Sequence, residues 1–261
     1  MGYEKLIAKN KKDWQFALEI FLEEWKEKEF VEAALLTGSR AINTQTEYSD
    51  VDVYIILSEN VNWRERGNKV INGVLIEYFA NPPRQIRHYF KKEFRENSKC
   101  TARIIAVGKI LFDKTGIAKE LKKEALEYME KPFQKPDDIW IEIAKYGLWD
   151  MLDSVNDAKE RNDPSFPYLY HLTLNEVLGA YSQFLSVEAP PASKVYRMFA
   201  DGEFRETYMF EPFPDGEFTA LFLGAIEREQ VETLEKLILH VFERMGGFNI
   251  NGWRLKTETE V

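Results

Sequence analysis

The sequence predicts an α+β N-terminal domain, a mixed sheet flanked by helices, followed by an all-α helical bundle. Three observations carry this. Short apolar runs, Ala33-Ala34-Leu35-Leu36, Val51-Asp52-Val53-Tyr54-Ile55-Ile56-Leu57 and Val74-Leu75-Ile76-Glu77-Tyr78-Phe79, are set between turn residues and amphipathic segments in the first half. The segment 131–138, Lys-Pro-Phe-Gln-Lys-Pro-Asp-Asp, holds two prolines that deny a helix its continuation. Beyond it the pattern is of long helices. The predicted domains are therefore 1–130 and 131–261.

The elements follow in order. Between residues 11 and 29, Trp14, Ala17, Leu18, Phe21, Leu22 and Trp25 recur at helical spacing with Glu19, Glu23, Glu24 and Lys26 opposite, which is one amphipathic helix lying on the sheet. Residues 32–36 form the first strand, ending at Thr37-Gly38-Ser39, and residues 50–57 form the next. Residues 58–69 read as a polar connection. Residues 70–80 read as a hairpin-like pair around Asn72-Gly73, a favoured tight turn, with Glu77 on its second strand. A helix is expected at 84–96, with His88 on its surface. Residues 103–113 read as strand, turn at Gly108-Lys109, and strand; residues 117–130 read as a connecting helix.

Past the linker, Asp137 or Asp138 is placed to cap a helix over 138–161. Further helices are expected at 168–186, 192–201 and 214–245, the last ended by Gly246-Gly247. Tyr168, Tyr170 and Tyr181 read as packing residues, and the tail with Phe248 and Trp253 as folding back on the body.

The chemistry is concentrated in residues 38–77. Residues i and i+2 of a strand share a face, so Asp50 and Asp52 project together while Val51 and Val53 enter the sheet. Paired carboxylates repel unless a cation sits between them, and oxygen ligands of this kind suit Mg2+. Gly38 lets the backbone approach a ligand closely, and a helix starting after it would turn its N–H groups toward phosphate.

Gly-Ser, a spacer of about ten residues and Asp-x-Asp at a strand start resemble the nucleotidyltransferase superfamily with the DNA polymerase beta palm. The closer likeness is to its small two-domain members that adenylylate antibiotics such as kanamycin and lincosamides. The resemblance implies a third carboxylate on a later strand, here Glu77, and a catalytic, metal-holding set of Asp50, Asp52 and Glu77. It implies two Mg2+ ions and ATP or another NTP, with a nucleoside monophosphate passing to a hydroxyl of a small molecule and pyrophosphate leaving. Gly38, Ser39 and Arg40 would meet the triphosphate. The family often has a second Gly or a Lys after Gly-Ser, where this chain has Arg40-Ala41-Ile42-Asn43. The helical domain of such relatives faces the nucleotide, which would give Lys145 a phosphate contact and Glu142, Tyr146 and Asp150 contacts to the acceptor.

Composition bounds the partners. A net charge of -9 with no basic run longer than Lys11-Lys12 or Lys122-Lys123 disfavours a long nucleic acid and favours a small or cationic acceptor. No window approaches the ~20 apolar residues of a membrane span. The N-terminal stretch has no apolar signal core, and Cys100 is the single cysteine, so the expected location is the cytoplasm. A homodimer would let one helical domain complete the cleft of another subunit. Two other readings use the same fold: a protein adenylyltransferase of antitoxin type, and a non-catalytic nucleotide-binding protein, which would be expected to have lost one of the three acids.

Overall fold

A computed structural model describes residues 13–259, and the chain divides into two compact units. The first runs to Lys131 and takes in Thr207–Met209; the second comprises Pro132–Glu206 and Phe210–Val261.

The first unit is built on β1 (Val31–Thr37), β2 (Val51–Leu57), β3 (Glu65–Ile71), β4 (Val74–Asn81) and β5 (Lys109–Asp113), in the order β3-β4-β2-β1-β5. The sheet is mixed: β2 and β4 run parallel, and the other pairs run antiparallel. Alternation along the strands sorts the side chains into two cores. Ala34, Leu36, Val53, Ile55 and Ile76 pack with Ala17, Leu18, Phe21 and Trp25 of α1 (Trp14–Lys26). Ala33, Leu35, Tyr54 and Ile56 pack with Ile86 and Phe90 of α3 (Pro83–Arg95), Ile105 of α4 (Cys100–Val107) and Leu121 of α5 (Ile117–Glu130). α1 starts where the Asp13 carboxylate accepts from the amides of Gln15 and Phe16, each at 3.1 Å. Residues 11 and 12 of the expected helix lie outside the described residues.

Two expectations are corrected here. Residues 103–107 are helical, the end of α4, because Thr101, Ala102, Ile105 and Ala106 recur at helical spacing and, with Arg103, are the buried positions. A short apolar run such as Ile104-Ile105-Ala106-Val107 cannot be told from a strand by composition. The expected polar connection 58–69 ends in β3, which pairs with β4 along its whole length from Glu65↔Ala80 to Ile71↔Val74. The turn between them is the one expected: Asn72 at φ 49° and Gly73 at φ 74° both take the left-handed region of a tight hairpin turn.

The second unit is helical: α6 (Asp138–Glu160), α7 (Phe166–Phe184), α8 (Val195–Ala200), α9 (Gly202–Thr207), α10 (Gly216–Arg228) and α11 (Val231–Arg244). Asp137 caps α6, accepting from the Trp140 amide at 2.8 Å. The single helix expected over 214–245 is two, divided where Glu229 adopts φ 43°. α11 ends as the sequence indicates, with the amide of Gly247 donating to the Phe242 carbonyl at 2.7 Å. Tyr170 and Tyr181 are fully buried in this core, whereas Tyr168 is exposed and does not pack. No described helix is long and apolar enough to cross a membrane.

Candidate functional site

The register of the sheet assembles the acidic cluster. Asp52 of β2 lies directly beside Glu77 on the parallel strand β4, so both carboxylates leave the same face. This is the face of Tyr54 and Phe79, which pack toward α3, α4 and α5. Asp50, two residues before Asp52, completes the set, and one carboxylate oxygen from each of the three lies within 4.8 Å of the others. All three side chains are half-buried. Three convergent carboxylate oxygens are the donor set that a hard divalent cation such as Mg2+ takes.

Gly38 opens α2, a single turn spanning Gly38–Ala41. Its φ is +63°, and a Cβ built there would fall 1.8 Å from Oδ2 of Asp52. Glycine is therefore required twice over, by the backbone angle and by the carboxylate lying against it. Ser39 follows in the same turn, its carbonyl accepting from the Thr44 amide at 2.9 Å.

Arg40 holds the backbone just ahead of β2. Its Nε donates to the Asp50 carbonyl and its Nη2 to the Ser49 carbonyl, each at 2.8 Å, while the guanidinium lies 5.1 Å from the Trp14 ring centre. Burial lowers its pKa, opposed by the charges of Asp50 and Asp52. Arg40 thus straps down the segment that delivers Asp50 to the site.

Glu77 has a partner that sequence reasoning missed. Arg66, on the adjacent edge strand β3, donates to Oε1 of Glu77 from Nη2 at 2.7 Å and from Nε at 3.2 Å. Glu65-Arg66-Gly67-Asn68-Lys69 shows no apolar alternation, so the sequence alone reads there as a connection. The signal available was the hairpin: extending the strands back from Asn72-Gly73 places Arg66 within reach of Glu77.

Three of the four candidates from the second unit make contacts within it. Lys145 is only 5% exposed; its ammonium donates to the Gly247 carbonyl at 3.0 Å and pairs with Glu142. Glu142 also accepts from the Trp253 indole at 3.3 Å, and Tyr146 stacks on Trp253 with ring centres 4.5 Å apart. Glu142, Lys145 and Tyr146 therefore clasp the tail, and Trp253 folds back on the body as expected. Asp150 is exposed on the same helix.

The profile of the family described as "Nucleotidyltransferase domain" matches residues 18–159, which is from α1 through the whole sheet and into α6. Among solved structures, a nucleotidyltransferase-like protein from Exiguobacterium sibiricum 255-15 aligns over 88% of this chain and 73% of its own, with 12% identity and a TM-score of 0.43. No curated protein matches the chain.

Proposed function

From the premise that this chain belongs to the nucleotidyltransferase domain family and is a nucleotidyltransferase, we propose that it moves AMP from ATP to a hydroxyl of a small, cationic acceptor of the aminoglycoside type. The observation that carries the reading is the convergence of Asp50, Asp52 and Glu77. A bond forms between the acceptor oxygen and the α-phosphorus, the bond from that phosphorus to the bridging oxygen breaks, and pyrophosphate departs. The hydroxyl proton, held by a group of high pKa, passes to a carboxylate oxygen of the triad. Mg2+ bound by the three acids would supply Lewis-acid stabilisation of the charge on the phosphoryl oxygens. Gly38 keeps the backbone clear of Asp52, and Arg40 fixes the approach of Asp50.

The net charge of -9 supports a small cationic acceptor over a polyanion. In this reading residues 1–130 carry the transfer, residues 131–261 contribute acceptor binding, and the reaction belongs to the cytoplasm, where ATP is available and a lone cysteine stays reduced.

The test is a pyrophosphate-release screen with ATP, GTP, CTP and UTP against aminoglycosides, lincosamides and plain sugars, run with Mg2+ on wild type and Asp52→Asn. Release with ATP and an aminoglycoside, lost by at least about 100-fold in the variant while its unfolding midpoint is kept, is the expected outcome. Undiminished release by Asp52→Asn would remove the triad from the reaction.

A further inference from the structure

Arg66 stands out because its partner is one of the three acids. Its side chain is 68% exposed, yet both Nε and Nη2 converge on a single oxygen, Oε1 of Glu77. The guanidinium also lies over the Phe79 ring, 4.7 Å from its centre, and Phe79 in turn stacks on Tyr54. Register explains the placement: Arg66 pairs with Phe79 and Asn68 with Glu77 across the β3-β4 hairpin, so the arginine reaches diagonally across two register positions, to the next residue on its own face of β4.

Three carboxylates within 4.8 Å repel one another, and a positive group contacting one of them lowers that cost. We propose that Arg66 is a built-in counter-cation of the triad: it neutralises Glu77 while no divalent ion is bound and gives the carboxylate up when one arrives. The inference rests on the reading of Asp50, Asp52 and Glu77 as the cation-holding set. Two features make the exchange cheap. The pair is open to solvent at its arginine end, 68% exposed against 21% for Glu77, so screening from that side keeps it weak. The Phe79 ring offers the released guanidinium a second resting place, since a cation over an aromatic face is attracted without any carboxylate. Arg66 is a positioning residue in this account; it acts on the reaction through Glu77.

The consequence has a sign. If Arg66 competes with the divalent ion for Glu77, removing its charge tightens ion binding; if it merely orients Glu77, removing it weakens binding. Mn2+ alone is the probe, titrated into the full chain and followed by loss of the free Mn2+ electron paramagnetic resonance signal, with Arg66→Ala, Arg66→Lys and Asp52→Asn alongside wild type. Arg66→Ala is expected to bind about two- to fivefold tighter, the range an exposed pair supports, with Arg66→Lys between it and wild type. Because the side chain is exposed, the variants should keep the wild-type melting temperature. Equal or weaker binding by Arg66→Ala, with wild type binding and Asp52→Asn not, overturns the counter-cation role alone. A wild type that binds no Mn2+, or an Asp52→Asn that binds as well as wild type, overturns the triad reading and this inference with it.

Discussion

A methyl group added at Gly38 would sit 1.8 Å from Oδ2 of Asp52, on a backbone held at φ +63°. Gly38→Ala therefore carries about 1–2 kcal/mol of left-handed strain and must also push Asp52 aside. Unfolding in urea should show a stability loss near that strain, while pyrophosphate release falls by about 100-fold, the size expected when a reacting geometry shifts by an ångström. Wild-type turnover in this variant would mean that Asp52 is not held where the chemistry needs it. At this scale the backbone-directed residues were legible. Gly38 announces itself by type, and Asp52 and Glu77 announce themselves as acids in apolar strands, with Asp50 just ahead of the first of them. The partners of Arg40 and Lys145 were not legible, and that of Arg66 only by extending the hairpin, because a long cation finds its partner through space. Arg66 found Glu77 across a hairpin, Arg40 found two carbonyls near its own loop, and Lys145 found Gly247, 102 residues later.

Between elements, Asp215 ties three helices of the second unit together. It caps α10 by accepting from the Phe218 amide at 2.9 Å, and it also accepts from Tyr181 of α7 at 2.5 Å and from His240 and Arg244 of α11 at 2.9 and 3.2 Å. Burial alone would push its carboxyl up, but the Phe218 amide, the Tyr181 hydroxyl and His240 together pull it well below the usual carboxylate range. The Tyr181 hydroxyl is pushed up to about 12, first by burial and then by the Asp215 carboxylate. A carboxyl with a depressed folded pKa adds stability that is fully present above its unfolded value, near 3.9, and is lost as pH falls from there through the folded value. Wild type should thus lose melting temperature below about pH 4 more steeply than Asp215→Asn, when both are scanned by circular dichroism from pH 7 to 3. Parallel curves would show that the carboxylate's charge does not bind the three helices. Asp215→Ala, which strands the buried hydroxyl and imidazole as well as removing the cap, should cost about 2–4 kcal/mol at neutral pH. The sequence showed α6 through its Asp137 cap and the end of α11 through Gly246-Gly247. It hid the break at Glu229-Gln230, where no glycine or proline marks the left-handed residue, and it hid the first five residues of β3, 65–69, which lack apolar alternation on an edge strand.

For the whole molecule, the mixed sheet flanked by helices and the helical part that follows it rest on patterns spread over many residues, which is why the fold class was readable where individual contacts were not. Net charge is likewise a property of the full chain, and it makes the last prediction. A field set by nine excess negative charges attracts a cationic acceptor and repels a polyanion, and salt screens both effects, the Debye length falling from about 10 Å at 0.1 M to about 3 Å at 1 M. Raising NaCl from 0.05 to 0.5 M should increase KM for an aminoglycoside acceptor severalfold and leave kcat nearly unchanged, because screening weakens encounter and ground-state binding without altering the triad. A neutral sugar acceptor, if used at all, should show no such rise in its own KM. Because ATP is present in both assays, any salt effect on nucleotide binding cancels in the comparison. Equal salt dependence for the charged and neutral acceptors would remove charge complementarity as the basis of acceptor choice, and would return the question to the shape of the site.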